Sequence, residues 1–89
     1  MQNDKRTREQ VLGRMLKNMR MDAGLIQHAV GLHLGYQGQT VISRMENGKR
    51  AMRLDEYVLF CEATNHSPIK ILSKVQEIVK RFPRGENIE

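Results

Sequence analysis

Apolar residues recur every three or four positions along almost the whole chain. That rhythm is cut at Gly24, Gly35, Gly48, Asn65 and Pro83. A spacing of this kind belongs to amphipathic helices, and the alternation that marks strands is missing. The interruptions are residues that stop helices: glycine and asparagine tolerate the left-handed backbone that ends one, and proline cannot continue one. The chain is therefore restricted to an all-α fold of five helices with connections of two to six residues. The first helix is expected over about Arg8–Asp22, opened by Thr7 and Gln10 in capping-box spacing. The second covers about Gln27–Leu34, the third Gln39–Asn47 and the fourth Leu54–Thr64. The fifth opens with Ser67 as cap and Pro68 at the first helical position, and runs to about Phe82. Residues 1–6 and 84–89 are expected to be flexible, which leaves one domain over 7–83.

With 89 residues, about 64% of the unfolded surface can be buried, enough for one modest core and no second domain. Residues Val11, Leu12, Met15, Leu16 and Met19 form the buried side of the first helix. The methionines and Cys61 read as core filling, Cys61 as a small buried apolar group. One cysteine excludes an intramolecular disulfide and fits a reducing compartment. The apolar runs are too short to span a bilayer, and no apolar stretch follows Met1, so neither a membrane nor a secretory leader is expected. Fifteen Lys and Arg against ten Asp and Glu give a net charge of +5, for which nucleic acid is the default partner of a small domain.

The two short central helices carry the functional signal. A helix that enters the major groove must be braced by a second helix across a tight turn. Gly31 is expected to make room for the crossing, and Gly35 to supply the positive φ that begins the turn. Val30, Leu34, Ile42 and Met45 have the spacing of anchors, leaving Gln39, Thr40, Ser43 and Arg44 on the outward side.

Residues Gly24-Leu25-Ile26-Gln27, then Leu34-Gly35, then Ile42-Ser43-Arg44-Met45-Glu46-Asn47-Gly48-Lys49-Arg50 resemble the XRE family. These are the lambda-repressor-like helix-turn-helix proteins, which include phage repressors and Cro proteins. The likeness continues through Leu54 to Ser67. Three features depart from the family pattern. Ile26 stands where a Ser or Thr usually caps the second helix, the segment Tyr36-Gln37-Gly38 is one residue longer than usual, and Ala51-Met52 replaces a common Asn-Pro.

The resemblance implies a lambda-repressor-like domain with an extended C-terminal helix, and roles for named residues. Gln39, Thr40, Ser43 and Arg44 would face base edges. Gln27, Gln37, Asn47, Lys49, Arg50 and Arg53 would contact phosphates, and Arg20 with Glu46 would form a structural ion pair. The chemistry agrees, since glutamine can bond adenine N6 and N7 together and arginine guanine O6 and N7, each pair discriminating by about 1–3 kcal/mol. Between Tyr36 and Arg53 there are four cations and one acid, Glu46.

The fifth helix carries more apolar residues than closure of a small core requires. Leu72, Val75, Val79 and Phe82 are expected to form a subunit contact, giving a homodimer that presents two recognition helices about 34 Å apart to a palindrome. The implied function is a cytoplasmic, sequence-specific regulator of transcription acting on double-stranded DNA, of phage, mobile-element or controller-protein type. The alternative is an antitoxin-type module that also binds a protein, for which residues 84–89 look too short to wrap a partner. His28, His33 and His66 are scattered, and no nucleophile triad, phosphate loop or paired carboxylate occurs, so neither metal, cofactor, small-molecule ligand nor enzymatic activity is expected.

Overall fold

The computed structural model describes residues 4–85. They form five helices and, among the described residues, no strands: α1 (Arg8–Asp22), α2 (Gln27–His33), α3 (Thr40–Glu46), α4 (Leu54–Ala63) and α5 (Pro68–Arg81). Local chemistry fixes where they begin. Thr7 Oγ1 accepts the Gln10 N–H at 3.2 Å while Gln10 Oε1 accepts the Thr7 N–H at 2.9 Å, closing the capping box at the start of α1. Ser67 Oγ accepts the Lys70 N–H at 3.3 Å at the start of α5, with Pro68 in the first turn. Ile26 precedes α2 with no side-chain cap, as its apolar side chain dictates.

The helix ends fall within a residue of those expected. Leu34, Asn47, Thr64 and Phe82 are C-caps rather than last helical residues, and Gln39 is the N-cap of α3. Gly24, Gly35, Gly48 and Asn65 have φ of 72°, 92°, 72° and 59°, the left-handed conformation that ends a helix.

Every helix sends residues into one core: Leu16 and Met19 from α1, Val30 from α2, Ile42 and Met45 from α3, Phe60 and Cys61 from α4, and Ile71 from α5. Helix α1 packs on α3 and α5, α2 on α3 and α4, and α4 on α5. Burial pushes the Cys61 thiol up, in keeping with an inert packing group.

Two glycines permit close approaches of backbone. A Cβ on Gly13 would stand 2.5 Å and 2.6 Å from the carbonyl oxygens of Glu46 and Met45, so α1 lies directly on the end of α3. A Cβ on Gly31 would stand 2.0 Å from the carbonyl oxygen of Gly38. This corrects the expected reason for Gly31. The group that needs its space is the backbone of the turn before α3, which folds inward against α2 at Gly38.

The far end of α5 is tied to the start of α1. The Arg8 guanidinium donates to the carbonyls of Phe82 and Val79, each at 3.2 Å, and the Arg8 N–H donates to Pro83 O at 2.8 Å. The Gly85 N–H donates to Glu9 Oε1 at 2.7 Å. The flexible ends expected at 1–6 and 84–89 lie partly outside the described residues, namely at 1–3 and 86–89.

The expected contact stripe on α5 is divided. Ile71 is buried and Val75, Ile78 and Phe82 are half-buried, so the inward side of α5 follows that register. Val75 packs against the core, and Phe82 lies under the guanidinium groups of Arg6 and Arg81, each 5.7 Å from its ring centre. Leu72 and Val79 remain exposed. No helix among the described residues is long and apolar enough to cross a membrane.

Candidate nucleic-acid interface

Helices α2 and α3 are joined by Leu34–Gln39. The Gly35 N–H returns to Leu32 O and the Tyr36 N–H to Gly31 O, so the turn is closed by backbone hydrogen bonds. Helix α3 then presents two unlike sides. Ile42, Met45 and Glu46 are buried. Gln39 and Thr40 are exposed, Ser43 and Arg44 half-buried, and Asn47 exposed. Residues three and four apart share a helix face, so these five form one polar strip running along α3. Gln37 just before it and Lys49 just after it are exposed.

The strip rests on a buried polar cluster. Arg20 Nε and Nη2 bind Glu46 Oε2 and Oε1 at 2.6 Å and 2.9 Å, and Arg20 Nη1 donates to Leu25 O at 2.8 Å. Gln27 Nε2 donates to the same Glu46 Oε1 at 3.0 Å. One carboxylate thus ties α3 to α1 and to the first turn of α2. Two-point geometry with every charge partnered lets such a pair sit out of water.

A second cluster fixes the exit from α3. Arg50 Nη1 donates to Glu56 Oε1 at 2.9 Å and Arg50 Nη2 to Tyr36 OH at 3.1 Å. The guanidinium also stands 5.8 Å from the Tyr36 ring centre. The Tyr36 hydroxyl donates to Glu56 Oε2, and Glu56 Oε1 accepts the Arg53 N–H at 2.9 Å. Burial alone would raise the Glu56 carboxyl, but the hydrogen bonds from Arg50, Tyr36 and the Arg53 amide outweigh it and hold it below its ordinary value. The hydrogen bond to Glu56, then burial, pushes the Tyr36 hydroxyl up.

Of the residues expected at phosphates, Asn47 is exposed at the end of the strip and Gln37 and Lys49 are exposed beside it. Arg53 is exposed and paired with Asp55 at 2.9 Å. Gln27 and Arg50 are half-buried. Both turn their side chains onto internal carboxylates, Gln27 onto Glu46 and Arg50 onto Glu56, because each carboxylate is buried and needs donors. The Tyr36–Glu56 link was not apparent from sequence. Its one signal was Glu56 three residues after Arg53, the spacing at which a helical carboxylate reaches back to the cap amide. Among the described residues no group of three or more His, Cys, Asp or Glu could hold a metal.

Residues 11–69 match a family described as a helix-turn-helix domain. Among solved structures, an XRE-family like protein from Pseudomonas syringae pv. tomato superposes with a TM-score of 0.68 at 31% identity, over 80% of this chain and 85% of that one. The chain belongs to the XRE-type helix-turn-helix family. The clp gene regulator ClgR from C. glutamicum has the same fold, with a TM-score of 0.69 at 18% identity over 82% of this chain and 94% of its own. No curated protein matches the sequence. In an XRE-type helix-turn-helix the second helix of the motif enters the major groove. Here that helix is α3, and the domain is a DNA-binding one.

Proposed function

We propose that this protein is a dimeric transcriptional repressor that reads a palindromic operator through the major groove. Gln39, Thr40, Ser43 and Arg44 face base edges, and Gln37, Asn47, Lys49 and Arg53 hold phosphates at its flanks. Gln27 and Arg50 act from behind, keeping α2 and the α3–α4 connection in place. The observation that carries this reading is the polar strip of α3 standing on the Arg20–Glu46–Gln27 cluster. The internal acid of α3 is matched within the protein, so it does not repel phosphates. Groups held on a rigid support lose little freedom on binding, which favours discrimination among base pairs.

Two copies bound to one operator would repress by covering a promoter. Protein concentration sets occupancy, because association of the copies is linked to DNA binding by mass action. Selecting bound sequences from a random duplex pool tests the proposal. The expected result is a palindrome whose half-sites lie about one helical turn apart, about 34 Å, or a multiple of it. Recovery of unrelated sequences with no enrichment would overturn it.

A further inference from the structure

Tyr36 stands four residues before Thr40, the first residue of α3, and Arg50 four residues after Glu46, its last. The connections on both sides of α3 meet at one carboxylate, that of Glu56 in the first turn of α4. Glu56 is 4% exposed. Its Oε2 accepts from the Tyr36 hydroxyl and, at 3.3 Å, from Arg50 Nη2, which also donates to that hydroxyl. Capping α4 does not call for this convergence. The amide that Glu56 covers there is that of Arg53, and Oε1 alone reaches it. Yet Oε2 joins Tyr36, 20 residues earlier in the chain.

The turn before α3 is held a second time at Gly38, whose carbonyl oxygen lies against Gly31 of α2. Gln39 follows at once, and its side chain makes no capping hydrogen bond, so the backbone of the turn aims it. At the other end Lys49 directly precedes Arg50. Helix α3 has only seven residues, too few to keep its own direction without outside support.

Resting on the reading of α3 as the helix that reads base pairs, we infer that the Tyr36–Glu56–Arg50 cluster sets the seat of α3 in the major groove, and that Tyr36 and Glu56 are positioning residues for sequence discrimination. Neither acts on DNA itself, because the hydroxyl and the carboxylate are engaged with each other and with Arg50. Paired hydrogen bonds to a base edge require placement within about 0.5 Å. Phosphates are met by long cationic side chains that follow charge rather than pattern, and such contacts tolerate a small displacement. Releasing the turn from Glu56 therefore costs discrimination and spares general affinity for duplex.

Tyr36→Phe tests this. The variant keeps the ring beside the Arg50 guanidinium and leaves Glu56 with the donors of Arg50 and the Arg53 amide. No buried charge is stranded, so it should fold. Affinity is measured for a duplex carrying the selected site and for a scrambled duplex of equal length. The wild type is expected to prefer the selected site. Tyr36→Phe is expected to lose about tenfold on that site, the scale of one base-edge pair. Its affinity for the scrambled duplex, and the salt slope of that affinity, should stay at the wild-type values. Ile71→Val thins the core at α5 without touching the cluster and controls for stability alone. It should lower the Tm and leave the ratio of the two affinities unchanged. A Tyr36→Phe ratio equal to that of the wild type would overturn the inference. So would equal losses on both duplexes, or an Ile71→Val ratio that falls as far. A wild type without preference would sink the α3 reading and the inference with it, whereas a discriminating wild type matched by Tyr36→Phe sinks the inference alone.

Discussion

Arg20 and Glu46 are bound at two points, 2.6 Å and 2.9 Å, between the last turn of α1 and the last residue of α3. The Glu46 side chain is almost entirely buried and that of Arg20 nearly so. Removing one partner strands a charge in the interior, which costs about 3–5 kcal/mol. Arg20→Met should therefore lower the unfolding free energy by about that amount. Arg20→Met combined with Glu46→Leu should recover much of the loss, because no lone charge remains. Urea denaturation of the two variants checks both. A double variant no better than the single one would contradict the stranded-charge explanation.

Gly13 and Gly31 are the two places where a single methyl group meets backbone. Neither Glu46 O, Met45 O nor Gly38 O is the end of a flexible side chain. Gly13→Ala and Gly31→Ala should each destabilise by about 1–3 kcal/mol, even though alanine is the better helix former. Thermal melts of both variants test this. A Tm equal to or above that of the wild type in either would place the backbone further away than described.

Glu56 makes stability depend on pH in acid. Its carboxyl titrates below its ordinary value in the fold, held there against burial by Arg50, Tyr36 and the Arg53 amide. The unfolded chain thus binds a proton more readily than the folded one. The associated stability is fully present above the unfolded value, near 4.5, and is lost as pH falls through the lower folded value. Glu56→Gln should be less stable than the wild type near neutrality by about 1–3 kcal/mol. It should also lose less on acidification from about pH 6 to about pH 3. Denaturation at the two pH values gives the comparison, and parallel losses would rule Glu56 out as the source.

Much of this arrangement could be read from the sequence because local chemistry decides it. Thr7 with Gln10 and Ser67 with Pro68 announce helix starts, and Gly35, Gly48 and Asn65 announce stops, without reference to distant residues. The XRE likeness supplied the Arg20–Glu46 pair. The remainder depends on groups far apart in the chain. Nothing local tells that Gly13 lies on the carbonyls of α3, or that Arg8 satisfies the last carbonyls of α5. Helix α5 shows the limit most plainly. Apolar residues occupy two of its sides, so periodicity alone admits both the 72/75/79/82 register and the 71/75/78/82 register, and packing selects the second for the interior. The hydrogen bonds of Gln27 to Glu46 and of Arg50 to Glu56 escape the sequence for a similar reason: polar type says nothing of a buried carboxylate elsewhere that needs a donor.

Lys49 and Gln39 should separate two kinds of DNA contact. Lys49 is exposed just past α3, and Lys49→Ala should weaken specific and random DNA alike. It should also lower the slope of log K against log salt by about one. Gln39→Ala should instead relax the preference at one base pair by about 1–3 kcal/mol and leave the salt slope unchanged. Binding isotherms across a salt series measure both. An unchanged slope for Lys49→Ala would remove its phosphate role.

The most direct test of the account is an NMR titration of the isotopically labelled protein with duplex carrying its selected site. The account expects the largest shift changes in the side chains of Gln39, Thr40, Ser43 and Arg44 and in Lys49, with the Leu16, Phe60 and Ile71 core undisturbed. Shifts concentrated on another face, with the α3 strip unmoved at saturation, would contradict it.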